Sequence, residues 1–198
     1  MTVGDEHDRR RRGRLQMLLL LAVSAAPIVL GTLAYYVWTP QGRTNYGEVL
    51  PPVQVQASGV DLAGQRATLE TLRGRWVLLV ASTPECREEC RRSLLYSRQV
   101  RVAQGREQGR VERAWIVLGL AQPDPELAPL HAGALVIRLA HEADSNALSG
   151  EVSRAAEIHL VDPLGRLVMR FPGDPDPRRI VKDVQRLLRV NSAEYGRQ

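Results

Sequence analysis

The chain is poor in several of the residues that carry chemistry or fill a core. Its 198 residues include two cysteines, four histidines and one phenylalanine, and Lys182 is the single lysine. One phenylalanine excludes an interior packed mainly by phenyl rings. The core must be mostly aliphatic, and a hydrophobic content of 44% is enough to build one at this length. The scarcity of lysine beside abundant arginine is a compositional bias rather than a functional sign. Also missing is a basic stripe interleaved with aromatic residues. The formal net charge of +5 looks basic, but five of the 27 basic residues lie in the first fourteen positions. That leaves 22 basic and 19 acidic residues from Leu15 onward. A nearly balanced domain of this kind is not expected to bind nucleic acid. No internal repeat or low-complexity tract is present, so one domain plus appendages is the expectation.

What the chain does have is concentrated between Arg75 and Cys90. The apolar run Trp76 to Ala81 is short enough for a buried strand and too short for an independent helix. It ends in Ser82-Thr83-Pro84, where Pro84 disfavours a helical Thr83. Both cysteines follow as C-x-x-x-C, Cys86 and Cys90, in a polar, helix-favouring segment expected from about Glu85 to Gln104. On a helix, four-residue spacing places both sulfurs on one face. A buried strand that delivers a cysteine pair to a helix N-terminus is the core of a thioredoxin-like site.

Leu15 to Trp38 is 24 residues without a charge, enough to span the ~30 Å hydrocarbon layer as a helix. Arg9 to Arg12 and Arg14 flank one end, and Tyr35, Tyr36 and Trp38 close the other. By the positive-inside rule the N-terminus stays in the cytoplasm, or in the matrix of an organelle. Small residues at Val23-Ser24-Ala25-Ala26 could allow signal cleavage, but the apolar run extends well past them, which favours an uncleaved anchor. The expected organisation is a basic cytoplasmic tail (1–14), an inner-membrane single-pass anchor (15–38) and a linker or extended lead-in (39–52). A periplasmic domain (53–190) and a C-terminal tail (191–198) follow. The periplasm permits disulfides.

Within the soluble part, Val53-Gln54-Val55-Gln56 alternates as an exposed strand would. The cysteine helix is expected to bury Leu94, Leu95, Val100 and Val102. Ala114 to Ala121 and Ala134 to Ala140 read as further strands, separated by a proline-rich break with at most a short helix. Ser145 to Ala156 fits a short helix or a loop. Glu157 to Phe171 reads as a hairpin around Asp162-Pro163-Leu164-Gly165, with glycine in the left-handed position. Asp176-Pro177 opens a last helix with Ile180, Val181, Val184, Leu187 and Leu188 on one face. The order β-α-β-α-β-β-α, after an N-terminal strand or hairpin, predicts an α/β protein with an elaborated thioredoxin-like fold, a central mixed sheet flanked by helices.

With Gly74-Arg75-Trp76-Val77-Leu78-Leu79, the C-x-x-x-C spacing and His159-Leu160-Val161-Asp162-Pro163-Leu164-Gly165-Arg166-Leu167, the chain resembles the Sco/SenC family. These are membrane-anchored thioredoxin-like proteins that deliver copper to cytochrome c oxidase, and the resemblance covers about residues 50 to 190. Arg43-Thr44-Asn45-Tyr46-Gly47-Glu48 also looks like small anchored proteins associated with bacterial oxidase assembly. The resemblance implies copper held by Cys86, Cys90 and a histidine several residues before the Asp-Pro turn. That position falls near Arg154, and Gly150 to Glu157 holds no histidine. The proline usual after a first thioredoxin cysteine is replaced by Arg87, and the proline usual before the hairpin strand is missing.

Cys86 and Cys90 are therefore both the catalytic and the metal-binding candidates, with a structural disulfide or two inert thiols as the bland alternative. A helix N-terminus with Arg87, Arg91 and Arg92 would lower a thiol pKa, whereas Glu85, Glu88 and Glu89 would raise it. Cys86, nearer the helix start, is the expected nucleophile. His159 and His141 are candidates for a replacement imidazole, with His131 and His7 behind them. Asp174 and Asp176 read as turn and cap residues. Three functions follow. The first is an anchored Sco-like factor that handles copper or reduces a copper site during oxidase assembly, with oxidase subunits or other assembly factors as partners. The second is a thiol-disulfide oxidoreductase in which Cys86 attacks and Cys90 resolves. The third is a non-catalytic interaction module.

Overall fold

The computed structural model describes residues 4–37, 45–140 and 156–195. The chain divides into two compact units, Met1–Arg43 and Thr44–Gln198. In the first, α1 runs from Gly4 to Val37, so the helix takes in the arginines of the basic tail as well as the apolar stretch. Its segment Gln16–Leu33 has a mean hydropathy of 2.0 and buries nothing inside the protein, which separates it from a core helix. It is long and apolar enough to cross a membrane. The two hydroxyls within it are internally satisfied, Ser24 donating to the Leu21 carbonyl and Thr32 to that of Ile28.

The second unit is built on one eight-stranded sheet. Its strands are β1 (Glu48–Gln54), β2 (Ser58–Val60), β3 (Arg66–Thr68), β4 (Trp76–Ser82), β5 (Val111–Leu118), β6 (Leu135–Leu139), β7 (Ile158–Val161) and β8 (Arg166–Arg170). They lie in the order β1-β8-β7-β4-β5-β6-β2-β3. At the centre, β4 and β5 are parallel, as are β5 and β6, whereas β7 runs antiparallel to β4 and β8 antiparallel to β7. The helices are α2 (Glu88–Val102), between β4 and β5, the single turn α3 (Ala128–His131), and α4 (Pro177–Tyr195), after β8. The strands expected from Trp76 onward all form, that of Ala134 to Ala140 as β6, and from β4 the order is β-α-β-α-β-β-β-α, one strand more than the thioredoxin-like order expected.

Strand alternation divides the interior into two layers. Leu78 and Val80 of β4, Trp115 and Val117 of β5, and Ile158 and Leu160 of β7 face the layer shared with α2 and α4. Phe171, Ile180, Val184 and Leu188 belong to that same layer. Val77, Leu79 and Ala81, Ala114 and Ile116, and Val161 face the other way, under Val55, Ala57, Ala67 and Leu69. Burying these side chains at roughly 25 cal/mol per Å² of apolar surface is the main stabilising contribution.

Several expected boundaries shift for identifiable reasons. β1 begins at Glu48, within the stretch read as a linker. Pro51 and Pro52 are tolerated there because β1 is an edge strand and its register against β8 slips between Val49 and Val53. The lead-in is also latched to α4: buried Asp183 accepts the backbone N–H groups of Tyr46 at 2.7 Å and Gly47 at 2.9 Å. The Tyr46 ring lies 4.0 Å under the Arg179 guanidinium, and its hydroxyl accepts from Asp176 N–H.

The buried stripe of α2 is Cys90, Ser93, Leu94, Ser97 and Val100, which keeps i, i+3, i+4 spacing. Leu95 and Val102, expected inside, are 37% and 57% exposed. They lie off that stripe, and small hydroxyl residues take the core positions instead. β5 starts three residues earlier than expected and so carries Arg113 into the interior. The expectation for Ser145 to Ala156 lies outside the described residues except at Ala156.

The hairpin forms as read. Asp162 Oδ1 accepts from Leu164 N–H at 3.0 Å and Arg166 N–H at 2.9 Å, and Gly165 adopts φ +81°. A Cβ there would lie 2.8 Å from Gln54 Nε2 as well as strain the backbone. Gly165→Ala is expected to destabilise by about 1–2 kcal/mol in denaturant titration, and an unchanged midpoint would contradict the turn.

Candidate redox site

β4 rises through the centre of the sheet and ends at Ser82, with the cysteine loop at its carboxyl end. Thr83 accepts the Cys86 N–H through its carbonyl at 3.2 Å, closing a turn over Pro84 and Glu85 before α2 begins at Glu88. Cys86 therefore precedes the helix, and only Cys90 lies on it. The two sulfurs still meet, as a disulfide with Cα atoms 5.1 Å apart across a sequence separation of 4. Cys86 takes φ +38° in this bridge, a left-handed conformation uncommon for a residue other than glycine. Both residues are buried, Cys86 at 0% exposure and Cys90 at 2%. The other non-glycine residue with positive φ among the described residues is Ala156, at +48°, and it packs in the same cluster.

Beside the disulfide lies a chain of polar contacts. Ser82 Oγ is 3.1 Å from Cys90 Sγ and accepts the indole N–H of buried Trp115 at 2.9 Å. Its own proton can reach the Thr83 carbonyl at 3.1 Å. The Trp115 ring in turn stacks against His131 with centroids 5.4 Å apart. Burial pushes the His131 pKa down and the nearby Arg113 adds to this, against a backbone hydrogen bond that opposes them.

The local charges are mixed, as the sequence implied. Arg92 is engaged by Asp174 at 3.2 Å and Glu88 at 3.9 Å, while Glu88 and Glu89 occupy the first turn of α2. The Thr83 hydroxyl, the residue's own backbone N–H and Arg87 hold the exposed Glu85 carboxyl below its ordinary pKa. Asp176 caps α4 by accepting Arg178 N–H, and Asp174 serves as the ion-pair partner of Arg92.

The histidine candidates separate sharply. His159 pairs in register with Leu79, whereas Ile158 and Leu160 pair with Val80 and Leu78, which face the cysteines. The period of two therefore sends the fully buried His159 to the opposite side of the sheet from the sulfurs. It is not a replacement ligand; its Nδ1 lies 3.2 Å from the Glu157 carbonyl. His131 is on the cysteine side, with Trp115 against its ring. His141 and the position near Arg154 lie outside the described residues, and so does the side chain of His7. Among the described residues no group of three or more His, Cys, Asp or Glu side chains is placed to hold a metal ion. A copper centre would need the disulfide reduced and a third donor that the described residues do not supply, so this part of the chain does not fit one as it stands.

A four-strand centre ordered β5-β4-β7-β8, a helix between the first two strands and a cysteine pair at their junction define a thioredoxin-like protein carrying an N-terminal apolar helix. The chain belongs to the family described as transmembrane-like, thioredoxin-like, C-terminal domain, whose model matches residues 76–191; the companion transmembrane-like N-terminal domain matches residues 7–37. No curated protein matches it in sequence. Among solved structures, apo Sco1 of Thermus thermophilus is similar at 20% identity over 74% of this chain and 99% of its own, with a TM-score of 0.55. Copper-bound yeast Sco1 is 17% identical over 71% and 94%, also at 0.55. The thioredoxin domain of a Bacteroides vulgatus thiol-disulfide oxidoreductase is 19% identical over 72% and 96%, at 0.53. These likenesses show the fold, shared by copper-binding and thiol-exchanging proteins alike.

Proposed function

We propose that the chain is a membrane-anchored thiol-disulfide protein in which Cys86 and Cys90 cycle between disulfide and dithiol. The observation that carries this is the disulfide itself, formed at the carboxyl end of the central strand by a residue held in a left-handed conformation. Reduction adds two electrons and two protons and frees Cys86 from its constraint. Thiol exchange is preferred over copper delivery because it requires only the two sulfurs that the site brings together. The anchor and the basic segment before it support a placement in the inner membrane, with the N-terminus in the cytoplasm and the redox domain in the periplasm. The natural partner is then a cysteine pair on a periplasmic protein. The resemblance to Sco proteins favours the copper-site cysteines of cytochrome c oxidase, which must be reduced before metal enters. Full-length protein in mild detergent, equilibrated against glutathione or dithiothreitol buffers, should show a reversible two-electron transition with the domain folded throughout. Thiols released only after unfolding in denaturant would sink this reading.

A further inference from the structure

We infer that Ser82 is a catalytic residue of this exchange, holding the thiolate that Cys90 becomes when the disulfide opens, and that Trp115 positions it. This rests on the redox reading above. Ser82 is the last residue of β4, so its backbone is fixed by the centre of the sheet. Its oxygen accepts the Trp115 indole N–H at 2.9 Å, which leaves the hydroxyl proton two acceptors, the Thr83 carbonyl and Cys90 Sγ, each at 3.1 Å. A disulfide sulfur is a weak acceptor, so in the oxidised protein the proton is best placed on the carbonyl. A thiolate is a strong, charged acceptor, and a rotation about one bond turns the same proton to it. Among the described residues no hydroxyl hydrogen-bonds to Cys86 Sγ as Ser82 does to Cys90 Sγ, and in this respect the two sulfurs differ.

The asymmetry sets the course of the reaction. Cys86 is fully buried, so the Thr83–Cys86 turn must first open; a thiolate of an external dithiol then attacks Cys86 Sγ, forming a mixed disulfide. The Cys86–Cys90 bond breaks, and its electron pair goes to Cys90 Sγ, which accepts the Ser82 O–H. The second thiolate of the donor then attacks its own sulfur in the mixed disulfide, releasing Cys86 and leaving the donor as a disulfide. The two protons of the resulting dithiol come from water. In the reverse direction Cys86 attacks a substrate disulfide, and Cys90, held by Ser82, resolves it. A better-stabilised leaving thiolate leaves faster, and a stabilised reduced form makes the couple more oxidising.

The test uses the full chain in detergent, with dithiothreitol as the donor and glutathione as the redox buffer. Ser82→Ala is expected to slow reduction about tenfold. It should also lower the equilibrium constant for reduction about tenfold, a shift of about 30 mV to more negative potential. Ser82→Thr keeps the hydroxyl and should restore both to within about threefold of wild type. Trp115→Phe should move the potential in the same direction as Ser82→Ala by a smaller amount. In the wild-type protein, mixed disulfide trapped by acid quench and located by mass spectrometry should sit on Cys86. A folded Ser82→Ala protein with unchanged rate and potential overturns the role of Ser82 while leaving the redox reading intact. Trapped adduct on Cys90 overturns it too, without need of any variant. A wild-type disulfide that resists reduction until the domain unfolds removes the redox reading itself.

Discussion

Removing the Arg113 guanidinium, as in Arg113→Met, is expected to destabilise the domain by about 3 kcal/mol. Arg113 is 3% exposed. Nε donates to Ser97 Oγ, Nη1 to the Ala132 carbonyl, and Nη2 to the carbonyls of Leu94 and Leu130. One side chain from β5 thus ties the middle of α2 to the end of α3. Four bonds from a charged donor at about 1.5 kcal/mol each amount to about 6 kcal/mol. Burial offsets part of this: it is the main reason the Arg113 pKa falls to about 10, with repulsion from Arg98 and Arg101 behind it. The group remains charged at neutral pH. Its folded pKa lies below the unfolded one, so the burial penalty is fully present at neutral pH and fades only as pH climbs above about 10. The methionine variant removes that penalty but orphans the Leu130 and Ala132 carbonyls, and the balance favours arginine. Arg113→Lys should recover only part of the loss, because a point-like ammonium cannot reach both helices in the plane of a guanidinium fork. Urea titration at pH 7 measures both. A midpoint unchanged in Arg113→Met would mean that the bridge between α2 and α3 carries no net stability.

Arg113 also marks what the sequence could and could not convey. The apolar runs of β4, β5 and β6 are legible because strands buried on both faces read as continuous hydrophobic stretches. The hairpin is legible because Asp162 to Gly165 carries its turn chemistry locally, and α4 because Ile180, Val184 and Leu188 keep helical spacing. What was hidden is polar and long-range. Ser93 and Ser97 look like surface residues of α2 until Arg113, sixteen positions from Ser97, arrives to bond one of them. Asp183 looks like one more charge on the outside of α4 until the Tyr46 and Gly47 amides, more than 130 residues away, settle on it. Such partners are set by the fold and have no signature in spacing.

The site follows the same division. That Cys86 and Cys90 form a pair at the end of a buried strand was plain from their place after Trp76 to Ala81. The conformation of Cys86 was not, because a left-handed cysteine is unfavourable locally and depends on the disulfide and the surrounding core. His159 drew attention as an imidazole in the motif beside the Asp-Pro turn. Strand parity could have placed it: Leu160, its neighbour, belongs to the layer of the cysteines, so His159 belongs to the other. Ser82 had a weaker signal still, a small polar residue closing an apolar strand. Its meaning appears only when Trp115, 33 residues on, supplies the N–H that orients it.

The Cys86→Ala/Cys90→Ala double variant is expected to stay folded and to lose thiol exchange completely. The argument turns on ring size. Constraint of the unfolded chain by a disulfide grows with the loop it closes, and a sequence separation of 4 is among the shortest loops a bridge can close. The chain-entropy estimate for such a ring is about 2 kcal/mol, against about 4.7 for a hundred-residue loop. The left-handed backbone of Cys86 costs about 1–2 kcal/mol in the oxidised state. The two nearly cancel, so oxidised and reduced wild-type protein should differ in stability by about 1 kcal/mol or less at equilibrium. A bridge with so little effect on folding is a poor staple and a good switch, since neither redox state is trapped by the stability of the fold. Urea titrations of the oxidised protein, the reduced protein and the double variant test this directly. A loss of about 4 kcal/mol on reduction would return the cysteines to a structural role. If the double variant is folded and inert in exchange yet still supports oxidase assembly in a strain lacking the wild-type chain, thiol chemistry is not what the cell requires. The surface of the anchored thioredoxin-like domain would then carry the function as an interaction module.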